Sequence, residues 1–149
     1  MKILVVEDEF LLSELLKVEL TDAGHTVLGP ATTVSEGLEL LATQLPELAL
    51  VNINLKDGSK GTELATVLMR RWQVPCLFVS GEMLEARQHA DVAMGYISKP
   101  YDPSTVLESV DVAGAIMSGN EPRHIPQGLK LFEENDNVRQ YGHPPITPA

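Results

Sequence analysis

The sequence has little cysteine, few aromatic residues and no long hydrophobic run. Among its 149 residues the one cysteine is Cys76, and aromatic residues make up 5%. An internal disulfide is therefore excluded, and we expect Cys76, inside an apolar segment, to be buried rather than reactive. No apolar run approaches the length that spans a bilayer, and the first residues enter a predicted strand without a signal peptide. These features predict a cytoplasmic protein without membrane contact.

Positive charge is also scarce. Eleven Lys and Arg residues stand against 21 Asp and Glu residues, which gives a formal net charge of −10. A large basic surface for nucleic acid is therefore excluded. The four histidines show no ligand spacing, so we predict no transition-metal site.

Short apolar runs alternate with segments of helical period, a pattern typical of a parallel sheet with crossover helices. The predicted strands cover residues 3–6, 25–28, 48–53, 76–79 and 96–98. Five such units predict an α/β fold with a doubly wound, five-stranded parallel sheet in the order 2-1-3-4-5.

The intervening segments predict five helices, of which the one over residues 82–91 has the weakest apolar pattern. Gly24 ends the first helix, Thr33 and Glu36 form a capping box for the second, and Asp102 with Pro103 begins the last. The apolar stripes predicted to face the sheet are Leu12, Leu15, Leu16 and Leu20; Val34, Leu38, Leu41 and Leu45; Leu64, Leu68 and Trp72; and Val106, Val110, Ala113 and Met117.

The composition changes after residue 118. Residues 119–149 are rich in proline and show no sustained period. We therefore expect one domain over residues 1–118 and a proline-rich C-terminal tail over 119–149, partly docked or disordered. The residues of this tail that could dock on the domain are Ile125, Leu129, Leu131 and Phe132.

Polar residues lie at the ends of four of the predicted strands. Glu7 and Asp8 follow the first, Ser80 the fourth and Lys99 the fifth, while Asn52 lies at the end of the third. In a doubly wound sheet a ligand site lies beyond the carboxyl ends of the strands, where the strand order switches. Two acids, a hydroxyl and a lysine there are parts of a metal-assisted phosphoryl-transfer site, in which an asparagine stands where an aspartate is expected.

Together with their neighbours, these residues resemble the receiver domain of two-component response regulators. The motifs are Val5-Val6-Glu7-Asp8-Glu9, Asn52-Ile53-Asn54-Leu55-Lys56-Asp57-Gly58, Val79-Ser80-Gly81 and Ile97-Ser98-Lys99-Pro100. The resemblance covers roughly residues 1–118 and includes the order and spacing of every element. Each motif is common by itself, and only their combination is specific.

The resemblance implies a Mg²⁺ site. Glu7 and Asp8 would hold the ion, with position 52 as the phosphoryl acceptor and the backbone carbonyl of Asn54 as a further ligand. Mg²⁺ prefers oxygen ligands and neutralises charge on a transferring phosphoryl group. Without the resemblance, the two acids are explained as acidic residues at a helix N-terminus.

The resemblance also implies roles for three further residues. Lys99 would contact the phosphoryl oxygens, Ser80 would supply the hydroxyl that moves to hydrogen-bond this group, and Tyr96 would be the switch aromatic that follows it inward. Taken singly, they are explained as a surface lysine, a turn residue and a sheet-edge aromatic residue.

Asn52 changes the chemistry expected of this site. An amide oxygen is a far poorer nucleophile than a carboxylate, so we expect phosphoryl acceptance to be abolished and Mg²⁺ affinity to be weakened. The repulsion among three clustered carboxylates is relieved. Two origins fit, a natural pseudo-receiver or an engineered Asp→Asn change, and we favour the second because the other site residues suit a working site. Asp57 lies further out in the loop and is the less favoured acceptor.

The resemblance implies a single-domain response regulator in a phosphorelay rather than an enzyme. Its partners would be a histidine kinase or a histidine phosphotransfer protein, and its output would pass through protein contacts, including a homodimer through the fourth helix, fifth strand and last helix. The interval from Ser80 to Lys99 is shorter than usual, so we expect an unusual signalling surface. The alternatives are a phosphorylation-independent interaction scaffold, and a phosphatase or nucleotide-binding enzyme, which the lack of a glycine-rich phosphate loop disfavours.

Overall fold

A six-stranded sheet carries helices on both faces in the computed structural model, which describes residues 1–132. The strands are β1 (Lys2–Val6), β2 (Thr26–Ala31), β3 (Leu48–Asn52), β4 (Cys76–Ser80), β5 (Gly95–Ser98) and β6 (Leu129–Leu131). The helices are α1 (Phe10–Asp22), α2 (Val34–Leu41), α3 (Gly61–Trp72), α4 (Met83–Gln88) and α5 (Pro103–Met117). The sheet order is β2-β1-β3-β4-β5-β6, so the predicted order of the five parallel strands is confirmed.

The central strands are buried on both sides because helices cover both faces. In β3, Leu48 and Leu50 pack in the cluster that includes α1 and α5, whereas Ala49 and Val51 pack in the cluster that includes α2 and α3. Every residue of β3 and β4 is buried. This explains their nearly continuous apolar sequence, since a strand covered on both faces does not alternate with polar residues.

Two of the predicted helix stripes are only partly correct. Leu16 and Leu20 of α1 are buried, but Leu15 is exposed, and so are Leu38 and Leu45 around α2. Both helices pack beside the outer part of the sheet, where a narrower stripe suffices, and single exposed leucines are common on protein surfaces. The stripes predicted for α3 and α5 face the two core clusters.

The predicted end of β2 and the predicted extent of α4 are wrong. Strand β2 continues past Gly29 and Pro30 to Ala31, whose carbonyl accepts the Glu7 N–H. The segment predicted as one helix over residues 82–91 forms the six-residue α4 and then a 3₁₀ turn, Ala90–Val92. Only Ala86 of α4 is buried, so little packing stabilises a longer helix there.

Strand β6 lies within the segment predicted to be a tail. It pairs antiparallel with β5, and Leu129 is buried in the core cluster of α1 and α5. The part of the predicted tail over residues 133–149 lies outside the described residues. Within residues 1–132, no helix is long and apolar enough to cross a membrane.

Candidate functional site

Two acidic side chains lie between the end of β1 and the start of α1. Glu7 is 2% exposed, and its Oε2 accepts the backbone N–H of Glu9 at 3.0 Å. The Oδ2 atom of Asp8 accepts the backbone N–H of Lys56, in the loop after β3. The two carboxylates are thereby fixed by backbone donors from two different loops.

Asn52, the last residue of β3, joins these acids. Its side chain is buried, and Nδ2 donates to Glu7 Oε2 at 3.4 Å and to Asp8 Oδ1 at 3.3 Å. The amide nitrogen therefore lies between the two carboxylates as a shared donor. An aspartate at this position would have no N–H to offer, and its charge would oppose theirs.

Gly61 allows α3 to begin against the end of β3. A Cβ atom at position 61 would lie 2.2 Å from the Asn52 carbonyl oxygen and 2.5 Å from Val51 Cγ1. The Gly61 N–H donates to the Ile53 carbonyl at 2.7 Å. Only glycine fits this approach, which fixes the backbone that carries Asn52.

Lys99 contributes positive charge to the site. Its Nζ lies 3.9 Å from Glu7 Oε1, and its backbone N–H donates to the Ser80 carbonyl at 3.0 Å. Burial raises the pKa of Glu7 above its ordinary value, although the Glu9 N–H and Lys99 act in the opposite direction. Lys99 therefore offsets only part of the cost of burying the Glu7 charge.

The hydroxyl of Ser80 contacts the loop that follows β4. It accepts the Glu82 N–H at 2.9 Å and donates to the Glu82 carbonyl at 3.2 Å. The side chain is 3% exposed. Ser80 therefore lies on the strand next to Asn52, with its hydroxyl engaged by the Glu82 backbone.

Tyr96 is buried in β5 and contacts the C-terminal end of the described chain. The centroids of the Tyr96 and Phe132 rings are 6.0 Å apart, with the ring planes tilted by 34°. The described side-chain contacts thus join Glu7, Asp8, Asn52 and Lys99, whereas the side chains of Ser80 and Tyr96 contact other groups.

Asn54 belongs to a second polar cluster, which sequence reasoning missed. Lys60 Nζ donates to Asn54 Oδ1 and lies 3.1 Å from Glu85 Oε2, and Asn54 Nδ2 donates to Glu85 Oε1 at 3.1 Å. This cluster connects the loop after β3 to α4. Asn54 and Lys60 are close in sequence, but Glu85 lies 25 residues beyond Lys60, so no local pattern identifies the cluster. The Asn54 backbone carbonyl stays a predicted metal ligand.

Tyr101 is a further residue near the site that sequence reasoning missed. Its hydroxyl is buried and has no hydrogen-bond partner among the described residues. Burial raises the pKa of Tyr101, and the nearby charges of Glu7 and Glu9 raise it further. In the sequence, its position directly after Lys99-Pro100 could have identified it as a residue near the site.

The side chains at this site include oxygen ligands of the types that bind Mg²⁺, although one of the three is neutral. Within residues 1–132, no group of three or more His, Cys, Asp or Glu side chains converges, because the third member is Asn52. Two carboxylates and one amide oxygen are still ligand types that Mg²⁺ accepts. Since Nδ2 now faces both acids, the amide would have to turn by half a rotation to present Oδ1.

Comparisons with known proteins agree on one family. The family model described as response regulator receiver domain matches residues 3–111. The chain is 32% identical over 115 residues to the phyllosphere-induced regulator PhyR of Methylorubrum extorquens, covering 75% of this chain and 43% of that protein. It is 33% identical over 115 residues to the virulence transcriptional regulatory protein PhoP of Salmonella typhimurium, covering 72% and 49%.

A solved structure supports the same assignment. The response regulator receiver domain protein (CheY-like) from Methanospirillum hungatei JF-1 is 32% identical, with a TM-score of 0.65 over 73% of this chain and 89% of that one. The chain spans less than half the length of the two curated relatives.

Proposed function

Because the chain belongs to the response regulator receiver family, we propose that it is a signalling receiver in which residue 52 does not accept a phosphoryl group. The observation that carries this proposal is the Asn52 amide, whose Nδ2 donates to both Glu7 and Asp8. The acceptor position and the acid pair are therefore engaged with each other. The residues of a receiver site are retained, but the nucleophile is replaced.

The loss of phosphoryl acceptance follows from the chemistry of the amide. A carboxylate oxygen carries the charge needed to attack phosphorus, whereas the amide oxygen of Asn52 is neutral. The acyl phosphate that a receiver aspartate forms is thus out of reach at this position. Asp57 is not a replacement, because its Oδ1 accepts the N–H and the hydroxyl of Ser59, out in the loop.

Receiver domains typically bind Mg²⁺, and we propose a weakened site for it here. Glu7 and Asp8 would hold the ion, with the Asn52 amide oxygen and the Asn54 backbone carbonyl. The ion would neutralise charge on the phosphoryl group. To bind Mg²⁺, Asn52 would have to give up two hydrogen bonds. It would also offer a neutral oxygen where an aspartate offers an anionic one, so the affinity for Mg²⁺ is lower than with aspartate.

We assign the remaining site residues by the same reasoning. Lys99 would contact phosphoryl oxygens as a point charge. Ser80 and Tyr96 would act as the switch pair, and Ser80 must first release the Glu82 backbone to do so. With Asn52 in place this release has no trigger, so the resting arrangement of these three residues is the working state of the protein.

Receivers interact with histidine kinases or phosphotransfer proteins, and we propose that this chain retains such a partner without taking its phosphoryl group. Output then passes through protein contacts. A homodimer through α4, β5 and α5 would rely on the two helices, because β6 covers the edge of β5.

Phosphoryl acceptance is tested by intact-mass measurement after treatment with acetyl phosphate and Mg²⁺. We expect no adduct on the chain with Asn52 and one phosphoryl group on Asn52→Asp. The double variant Asn52→Asp/Asp57→Asn should keep that adduct, which excludes Asp57 as the acceptor. An adduct on the chain with Asn52 would overturn the proposal.

A second candidate function is an interaction scaffold that does not use the site. It is favoured by the hydrogen bonds that the acid pair accepts from Glu9, Asn52 and Lys56. Beryllofluoride titration separates the two candidates. A receiver that lacks only the acceptor carboxylate should bind beryllofluoride in Asn52→Asp, whereas a scaffold that no longer uses this site should not bind it in either form.

A further inference from the structure

The edge of β5 is filled by the chain's own residues 128–132, which we call the strap. The strap contains β6, which pairs antiparallel with β5 through Ile97 and Leu129, Tyr96 and Lys130, and Gly95 and Leu131. The Ser98 N–H donates to the Gly128 carbonyl at 3.0 Å, and the Phe132 N–H donates to the Met94 carbonyl at 2.9 Å. The pairing therefore extends one residue beyond β6 at each end.

Gly95 is fitted to the strap. A Cβ atom at this position would lie 2.3 Å from the Lys130 carbonyl oxygen and 3.0 Å from Leu131 Cα. The three nearest atoms all belong to the backbone of the strap. Glycine otherwise weakens a strand, and its presence in one often marks the close approach of another backbone. Gly95 thus makes room for a strand at this edge.

Two side chains anchor the strap on opposite faces of the sheet. Leu129 is buried in the cluster that includes α1 and α5, and Phe132 packs against the cluster that includes α2 and α3. The Phe132 ring contacts Tyr96, the residue in the switch position. Between these anchors, Lys130 is exposed.

We propose that the edge of β5 is a peptide-binding surface, which accepts an extended segment with a leucine and an aromatic residue three positions apart, and that the strap is its resident occupant. Backbone pairing supplies affinity, and the two anchored side chains supply selectivity. A partner segment of this kind binds only when the strap leaves, and leaving removes Phe132 from Tyr96. The strap therefore controls access to the edge of β5 and the contact that Phe132 makes with Tyr96. This inference does not depend on whether residue 52 accepts a phosphoryl group.

Hydrogen exchange on the full chain tests whether Gly95 holds the strap. In Gly95→Ala, exchange of the Ser98 and Phe132 amides should rise at least tenfold. The Met94 and Lys99 amides, which donate to Cys76 and Ser80 in β4, should keep their protection. The matched control is Gly81→Ala, where the nearest atom to the new Cβ is 4.0 Å away, and all four amides should stay unchanged.

Peptide binding tests the surface itself. The full-chain variant Leu129→Ser/Phe132→Ala weakens the strap and leaves β5 intact. A fluorescent peptide with the sequence of residues 126–132 should bind this variant at least tenfold more tightly than it binds the wild-type chain, measured by anisotropy. A peptide with serine in place of its leucine and phenylalanine anchors should not bind, and adding Gly95→Ala to the variant should abolish binding.

Three results would overturn the proposal. One is equal binding of the peptide to the wild-type chain and the weakened variant. Another is no binding to the variant although its Ser98 amide exchanges freely. The third is unchanged hydrogen exchange of the Ser98 amide in Gly95→Ala. If Gly95→Ala instead loses protection at every amide, it has unfolded, and peptide binding to Leu129→Ser/Phe132→Ala decides through the first two results.

Discussion

At the scale of single residues, Asn52 matters because it donates hydrogen bonds. Its amide nitrogen lies between Glu7 and Asp8, so the two carboxylates share a neutral donor. A buried carboxylate that loses such a donor is left with an oxygen that has no hydrogen-bond partner, which costs about 1–3 kcal/mol. The hydrogen bonds from Asn52 therefore stabilise the buried acid pair, at the position that we propose has lost its phosphoryl acceptor.

We expect Asn52→Asp to lower the free energy of unfolding by about 1–3 kcal/mol in the presence of EDTA, because two hydrogen bonds are lost and a third negative charge is added. Millimolar Mg²⁺ should restore most of this loss in Asn52→Asp and change the stability of the chain with Asn52 little. Urea unfolding with and without Mg²⁺ measures both effects. The control is Asn120→Asp, the same change at an exposed position. Equal stability of Asn52→Asp and the wild-type chain in EDTA would contradict this account.

Gly61 is the second residue whose identity the site requires. Gly61→Ala would place a Cβ atom 2.2 Å from the Asn52 carbonyl oxygen, so the backbone of β3 or the first turn of α3 would have to shift. We expect a loss of about 3 kcal/mol in unfolding free energy. Gly81→Ala would place its Cβ atom 4.0 Å from the nearest atom, without a clash, and should change stability by less than about 0.5 kcal/mol. Similar denaturation midpoints for the two variants would argue against a close α3–β3 approach.

At the scale of elements, the start of α2 shows how far local sequence determines structure. The Thr33 hydroxyl accepts the Glu36 N–H at 3.0 Å, as the capping box predicts. The second hydrogen bond differs from that of a capping box, because the Glu36 carboxylate accepts the N–H and the hydroxyl of Thr32 rather than the Thr33 N–H. The cap was predictable because its members are adjacent in sequence, and the shift by one residue depends on how the chain leaves β2.

This cap should make stability depend on pH. The hydrogen bonds from Thr32 lower the pKa of Glu36 below its ordinary value, so the folded state favours the ionised carboxylate. Its contribution is present above the unfolded pKa of about 4.3 and is lost as the pH falls through the lower folded pKa. The stability difference between the wild-type chain and Glu36→Gln should therefore be larger at pH 6 than at pH 3, in urea unfolding. A difference that grows on acidification would reverse the sign of this linkage.

At the scale of the whole molecule, β4 lies inside the sheet and is covered by helices on both sides. Cys76, at its start, is fully buried, and burial raises the pKa of its thiol. A thiol reagent can reach it only when the sheet opens. The one cysteine of the chain is therefore a reporter of global unfolding.

We expect Cys76 in the native protein to react with a thiol reagent at least about 10³-fold more slowly than in urea, because the thiolate is both disfavoured and inaccessible. Across a urea series the labelling rate should follow the unfolded fraction measured by circular dichroism. In Cys76→Ala/Ser118→Cys, the exposed thiol should react rapidly at every urea concentration. Fast labelling of the native wild-type chain would show that β4 opens locally.

The predictable part of the fold rests on short-range patterns combined with one topological rule. The apolar runs of β1, β3 and β4 identified the central strands, and the switch of strand order placed Glu7, Asp8 and Asn52 together. The cluster of Asn54, Lys60 and Glu85 escaped prediction because Glu85 reaches the other two residues only through tertiary contact. Strand β6 escaped it too, since three residues show no period and their pairing depends on the edge of β5.

The two outer strands also bear on how copies of this protein behave at high concentration. Strand β2 contains Pro30, which has no N–H to offer a neighbouring chain, and β6 is three residues long with an exposed Lys130 at its centre. Short edges, proline and lysine all discourage one sheet from extending into another. The strap that fills the edge of β5 therefore also protects the molecule against aggregation, and a change that loosens it should shorten the shelf life of the purified protein before it affects the fold.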